Sequence, residues 1–313
     1  MNSRLQISGA CRIVDWGLIR ARGADAGKFL QGQLTNDVLG LAAGRACLAG
    51  FCSAKGRLQA SFIVWKKGDE EYFLACSTNL LASTLKRLSM FVLRAQCKLS
   101  DASGELSLWG IAGAAAAAML DAAAVWDRRD SDATTIVRLP DGAGEARGLA
   151  ATPIGSDQGL GAGPSITLDV WHWLEVQSGV VTIEAATVDR FVPQMVNFER
   201  VGGVDFQKGC YPGQEVVARS QYRGTTKRRT FLFDCDALPV AGQDVFATGS
   251  PQEPAGTVAN AAPHPAGPGG SALVEVRLAA LGDGELRLGS VDGALLRRAE
   301  LPYAVPLEAE TAG

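Results

Sequence analysis

The segment richest in potential chemistry is Asp205-Phe206-Gln207-Lys208-Gly209-Cys210-Tyr211-Pro212-Gly213-Gln214-Glu215-Val216-Val217-Ala218-Arg219. Gly209, Pro212 and Gly213 bracket Cys210 with turn-forming residues, so the thiol is expected on a tight turn where backbone amides converge. Helical text follows directly. A sulfur just ahead of a helix N-terminus, with Lys208 two residues before it, has what favours the thiolate, the form that acts as nucleophile and metal ligand. Arg219, Arg223, Lys227, Arg228 and Arg229 then add positive charge with no acid among them. As a free cluster they would reinforce a thiolate or take an anion such as a phosphate or a glutamyl tail; as the solvated face of a linker they would do neither. The polar neighbours of Cys210 set it apart from Cys47, Cys76 and Cys97, which read as small buried hydrophobes.

The rest of the composition excludes other chemistries. The seven cysteines are odd in number and include no CxxC pair, which fits a reduced compartment better than a disulfide framework or a zinc site. With only His172 and His264, a multi-histidine metal centre is excluded. A net charge of −3 and a pI near 5.6 argue against broad, direct nucleic-acid binding. Residues 1–10 carry one Arg and no apolar stretch of signal-peptide length, and no window approaches the ~20 apolar residues of a membrane span, so a cytoplasmic protein without membrane contact is expected.

The elements that must position Cys210 follow from periodicity. At 313 residues the chain has room for two or three compact units. Cys11 to Ile19 reads as one strand, and Asp25 as the cap of a short helix bearing Phe29, Leu30 and Leu34. Extended runs Ala46 to Cys52 and Leu58 to Trp65, joined by Ser53-Ala54-Lys55-Gly56, predict a hairpin; Lys67-Gly68-Asp69 turns the chain into Tyr72 to Cys76. Leu81, Leu85, Leu88 and Val92 then mark an amphipathic helix. The outline repeats with a strand over Leu106 to Ile111, an Ala-rich helix over Gly113 to Ala124 and a strand near Thr134 to Leu139. Pro140 to Pro164, rich in Gly, Ala and Pro, reads as loop plus one short edge strand. A helix over Leu168 to Ser178 stops at Gly179. From Thr230 onward, short strands separated by Gly and Pro predict a small barrel. The expected class is α+β, with units at 1–100, 101–229 and 230–313.

Lys208-Gly209-Cys210-Tyr211-Pro212-Gly213-Gln214-Glu215, followed by Arg219, resembles the signature K-G-C-[FY]-x-G-Q-E-x-x-x-R of the YgfZ family of folate-binding proteins. Phe29-Leu30-Gln31-Gly32-Gln33-Leu34-Thr35-Asn36-Asp37-Val38 is similar to that family's N-terminal motif, Phe191 to Asn197 to the segment leading into the signature, and Leu301-Pro302-Tyr303 to its end. The likeness spans essentially the whole chain.

The resemblance implies the fold of the glycine-cleavage T-protein: a ring of domains with mixed or antiparallel sheets around a central tetrahydrofolate site, and a C-terminal β-barrel. It implies tetrahydrofolate, or a one-carbon derivative, held by Trp16 and Trp171 with Asn36 and Asp37 nearby, while Trp65, Trp109 and Trp126 fill the core. Trp173 is a near neighbour of Trp171. The implied task is accessory support of iron-sulfur protein assembly or repair, and through client iron-sulfur enzymes of tRNA modification. Cys210 would be the reactive thiolate and a transient iron ligand, completed by ligands from a partner and without stable metal on the monomer. Lys208 and Arg219 accompany it; Gln214 and Glu215 would orient the turn, with Glu215 and Arg219 paired at (i, i+4) spacing. The enzymatic alternative is a folate-dependent aminomethyl transferase or demethylase. Against it, Ala60 and Ser61 stand where the T-protein carries adjacent aspartates, so no carboxylate is there to manage a proton. A purely structural Cys210 is the third reading.

Overall fold

The computed structural model describes residues 6–131, 133–156, 158–222 and 226–306. Three antiparallel sheets organise it. Strands β1 (Gly9–Arg12) and β2 (Trp16–Arg22) are not one strand: the chain leaves one sheet at Arg12 and enters another at Trp16, with Val14 exposed between them. Apolar residues continue through Ile13 and Val14 to Trp16 with only Asp15 between, so composition alone joins them.

The first sheet has the order β3-β4-β5-β2-β6, from β3 (Ala46–Cys52), β4 (Leu58–Lys66), β5 (Glu71–Ser77) and β6 (Lys98–Asp101). β3 and the first eight residues of β4 are wholly buried, the continuous apolar text of a sheet covered on both faces. α1 (Ala26–Gln31) and α2 (Thr78–Val92) flank this sheet; α2 turns Leu81, Thr84 and Leu88 inward. Asp25 does not cap α1: its carboxylate accepts from the Gln96 amide at 2.8 Å, tying the helix start to the approach to β6.

The second sheet has the order β1-β7-β10-β9-β8, from β7 (Leu106–Ala112), β8 (Arg128–Ser131), β9 (Thr134–Gly142) and β10 (Glu145–Pro153). α3 (Ala114–Leu120), α4 (Gln158–Gly161) and α5 (Leu168–Gln177) follow their strands. The stretch read as loop and edge strand contains β10, a nine-residue strand between β7 and β9. Its small residues are there because neighbours come close. A β-carbon on Gly148 would meet Leu120 at 3.0 Å, and one on Gly142, in the adjoining β9, would meet the Leu174 carbonyl oxygen at 2.2 Å. Ile63, Trp65 and Phe73 of the first sheet share a core with Leu108, Val137, Leu149 and Trp171 on the other side.

The last sheet has the order β15-β12-β13-β14-β11-β16, from β11 (Arg228–Cys235), β12 (Asp244–Ala247), β13 (Gly256–Pro263), β14 (Gly270–Arg277), β15 (Leu286–Leu288) and β16 (Leu296–Ala299). A bridge between Arg287 and Leu295 brings its two edges together, so the sheet is nearly closed around Phe231, Phe233, Val258 and Val274. α6 (Gln214–Tyr222) precedes β11. No helix among the described residues is long and apolar enough to cross a membrane.

Candidate functional site

Two neighbouring cavities open where the three sheets meet. One is bordered by Trp16, Trp126, Ser61, Phe62, Arg147 and Glu175; the other by Asp15, Trp16, His172, Glu175, Glu184 and Asn260. Trp16, Glu175, Val180 and Thr182 border both, so they form one continuous site. Its far wall is stitched to the barrel by Asn260, whose Nδ2 donates to the Thr182 carbonyl and to Glu184 Oε1, both at 2.8 Å, while its Oδ1 accepts from the Thr182 amide at 2.9 Å.

The charged groups of this site are coupled. Arg147, with its side chain 4% exposed, donates to the Leu174 carbonyl at 3.1 Å, stands 3.9 Å from Glu175 and lies over the Trp171 ring at 4.6 Å. Its Nε is buried with no hydrogen-bond partner among the described residues. Burial pulls the guanidinium down to about 10 and pushes the Glu175 carboxyl up to about 7, against the pull of Arg147 and His172. His172 Nε2 stands 2.9 Å from Asp15 Oδ2. Burial disfavours the imidazolium, but Asp15, Glu175 and Glu184 outweigh it and raise the His172 pKa. The site therefore joins a flat indole, a carboxyl poised to gain or lose a proton near neutrality, and an arginine with a donor to spare. That set suits a planar heterocycle bearing amide and amino groups, such as a pterin.

Of the two tryptophans expected here, Trp16 borders the cavity and Trp171 does not. Trp171 is wholly buried, its ring so close to β7 that a β-carbon on Gly110 would fall 2.4 Å from it. Trp173 is also turned away; its indole N–H donates to Ser271 of the barrel at 3.1 Å. The second indole at the cavity is Trp126, read from sequence as core. Its φ of +70° is rare for a bulky residue, and backbone bonds at 2.8 Å to Ala46 and to Arg138 hold it there. Arg147 is the further site residue that the sequence does not disclose, because it lies on β10, in Gly- and Ala-rich text.

Asn36 and Asp37 border neither cavity. Asn36 Nδ2 donates to the carbonyls of Leu48 at 2.7 Å and Gly202 at 2.6 Å, and Asp37 closes a turn onto the Gly40 amide at 2.9 Å. They brace the frame around the signature turn rather than line the pocket.

Cys210 lies on that turn and is exposed, immediately before α6. It borders neither cavity. The turn is seated on the β3–β4 hairpin: Gly213, at φ +79°, lies against Ser53 and Gly56. Lys208 is buried and donates to the carbonyls of Gln31 and Leu34, with the Tyr211 ring 5.2 Å from its ammonium; burial lowers it to about 8. Its main task is thus to pin the turn to the end of α1. Gln194 Nε2 donates to Val217 in α6 at 2.7 Å, Asn197 Nδ2 to Thr230 at 2.8 Å, and the Tyr303 hydroxyl to Gly179 at 2.6 Å. Gln194 thus ties its motif to the helix after the turn, while Asn197 and Tyr303 hold theirs to β11 and to the end of α5.

Two expectations about this turn are corrected. Glu215 and Arg219 are both exposed, and among the described residues neither has an ion-pair partner within 4 Å; a solvated pair at that spacing is worth only ~0.3–0.5 kcal/mol and need not form. Gln214 is half-buried, and among the described residues its side chain makes no hydrogen bond. Nor is the basic run a free cluster. Arg228 is bound to Glu275 in β14, and the buried Arg229 to Glu199 and the Gln194 carbonyl, acids remote in sequence. Arg223 lies outside the described residues. Among the described residues no group of three or more His, Cys, Asp or Glu side chains is placed to hold a metal ion.

Residues 9–138 match the GCVT N-terminal domain model. The chain is 33% identical over 255 residues to the tRNA-modifying protein YgfZ of Edwardsiella ictaluri, covering 75% of this chain and 74% of that one. The chain belongs to the YgfZ family. The YgfZ proteins of Escherichia coli O7:K1 and Photorhabdus laumondii are each 31% identical over 74% of this chain. Among solved structures, the glycine cleavage system aminomethyltransferase T from Bartonella henselae superimposes with a TM-score of 0.75 over 97% of this chain and 87% of its own, at 17% identity, so this YgfZ-family chain has the T-protein fold.

Proposed function

We propose that this protein binds a reduced folate in the central cavity and supports tRNA modification through iron-sulfur enzymes, with Cys210 as its working thiol. Trp16 and Trp126 would stack on the pterin or aminobenzoyl rings, and Glu175 and Arg147 would meet their polar edges. Bound tetrahydrofolate would supply a carrier for one-carbon units. Cys210, exposed and unconfined, would take up iron as cargo together with ligands from a partner, or exchange thiols with a client. The observation that carries this reading is the separation of the two places. The central cavity and the thiol lie on different parts of the molecule, which fits a protein that presents Cys210 outward to another protein rather than using it on a ligand inside.

The transferase alternative is disfavoured at the strand position where its carboxylates are expected. Ala60 is wholly buried, and the Ser61 hydroxyl is occupied in accepting from the Ile183 amide at 2.8 Å. Cells carrying Cys210→Ser in place of the parent test the proposal: thiolated tRNA nucleosides should fall while the purified variant still binds tetrahydrofolate. Unchanged nucleoside levels would make the cysteine structural; turnover of a methylamine substrate with tetrahydrofolate as acceptor would favour the transferase.

A further inference from the structure

The outer surface of α2 carries more apolar and more positive character than the fold requires. Its inner stripe, Leu81, Thr84 and Leu88, is spent against the sheet, yet Met90 remains 67% exposed, Phe91 44% and Leu93 87%. At 100° per residue Met90 points about 200° away from Leu88, so no packing within the chain calls for it. Met90 and Phe91 border a groove whose other walls include Phe51, Leu80 and Val188. Contiguous exposed apolar surface of this kind marks an interaction site.

The charge around the groove has one sign on the helix. α2 contains no acid; Lys86 and Arg87 border the groove and Arg94 follows, all exposed, and among the described residues none has an ion-pair partner within 4 Å. A helix dipole acts only over the last turn, which accounts for Arg94 but not for Lys86 and Arg87. Asp189, the acid on the opposite wall, is occupied by Gln59 Nε2 at 3.1 Å. In a chain of net charge −3 this strip is a local feature.

Its position matters. Phe51 and Gln59 lie on the two arms of the β3–β4 hairpin, and the turn of that hairpin seats Gly213, three residues beyond Cys210. One hairpin thus borders the groove on its arms and seats the turn that carries Cys210 at its tip.

We infer that this groove docks an acidic amphipathic helix of a partner protein, whose apolar side chains enter between α2 and the hairpin and whose carboxylates face Lys86, Arg87 and Arg94. An apolar groove alongside a helix accepts a second helix through anchors at i, i+3, i+4 and i+7, and unpaired cations beside it select acidic flanks and speed encounter. The inference does not rest on folate binding and survives its failure.

The probe is a fluorescein-labelled synthetic helix with leucines along one face and glutamates flanking them, titrated with the full chain and followed by fluorescence polarisation. A twin with lysines replacing the glutamates is the control. The acidic helix should bind, weaken with added salt, and lose about tenfold or more in affinity both in Met90→Asp and in the double variant Lys86→Glu/Arg87→Glu; the basic twin should bind at least about tenfold more weakly. All three positions are exposed, and if Met90→Asp fails to fold by circular dichroism the charge-reversal variant carries the test. Equal binding of both helices, or unchanged affinity in both variants, overturns the inference. So does a tRNA probe whose binding is lost in Lys86→Glu/Arg87→Glu, which would assign the face to nucleic acid, or dimerisation of the chain abolished by Met90→Asp, which would assign it to a second copy.

Discussion

Gly213 rests on Gly56 so closely that a β-carbon on Gly213 would lie 2.6 Å from the Gly56 Cα and 2.3 Å from the Ser53 carbonyl oxygen. The Cys210 turn therefore has its height above the β3–β4 hairpin set by two missing side chains. Gly213 is also held at φ +79°, where an L-residue is strained. Gly213→Ala should cost roughly 2–4 kcal/mol from strain and clash together. Gly209→Ala, with nothing within 4 Å of its added methyl, should be nearly neutral. Thermal melts of the two variants check the contrast, and equal melting temperatures would mean the turn is not seated on Gly56.

Thiol labelling separates the seven cysteines. Cys11, Cys47, Cys52 and Cys76 are buried, and burial pushes each thiol up to about 12; Cys97 is half-buried and raised to about 11. Cys235 is buried as well, leaving Cys210 exposed. In the native protein one thiol should react rapidly with a disulfide reagent, and Cys210→Ser should abolish that phase without moving the melting temperature. Rapid labelling that persists in Cys210→Ser would locate the accessible thiol elsewhere.

Glu175 ties stability to pH. Its carboxyl is raised from 4.5 to about 7 by burial, so between those values the folded protein keeps a proton that the unfolded chain has released. The stabilisation is complete below 4.5 and is lost as pH rises through 7. Relative to the parent, Glu175→Gln should gain roughly 2–3 kcal/mol of unfolding free energy across that interval. Denaturant melts of both proteins at its two ends measure the gain; a constant gap would show an ordinary carboxylate.

Trp171 should act on stability and not on ligand binding. It is wholly buried against Gly110 and under Arg147. Trp171→Phe should lose about 1–3 kcal/mol of stability while leaving tetrahydrofolate affinity within about twofold. A large loss of affinity in the stably folded variant would return Trp171 to the pocket.

What the sequence discloses and what it hides divide along physical lines. The β3–β4 hairpin, α2 and α5 are legible because turn residues, caps and helical spacing are local properties. The break between Arg12 and Trp16 is not, because apolar residues continue across it and only the partner strands differ. β10 is hidden because its Gly and Ala answer to side chains brought from elsewhere, and Arg147 is hidden with it. The turn at Cys210 announces itself through its glycines and proline. Which indoles face the cavity is decided by a backbone angle at Trp126 and by the packing of α5, neither of which leaves a periodic mark. The basic run looks free until Glu199 and Glu275, thirty and forty-seven residues from their partners, arrive beside Arg229 and Arg228.

The most direct test is calorimetric titration of tetrahydrofolate into the parent, Trp16→Ala and Cys210→Ser. Binding should be present in the parent, at least about tenfold weaker in Trp16→Ala and within about twofold of the parent in Cys210→Ser, because the cavity and the thiol are separate. Loss of affinity in Cys210→Ser equal to that in Trp16→Ala, or no binding by the parent, would contradict it.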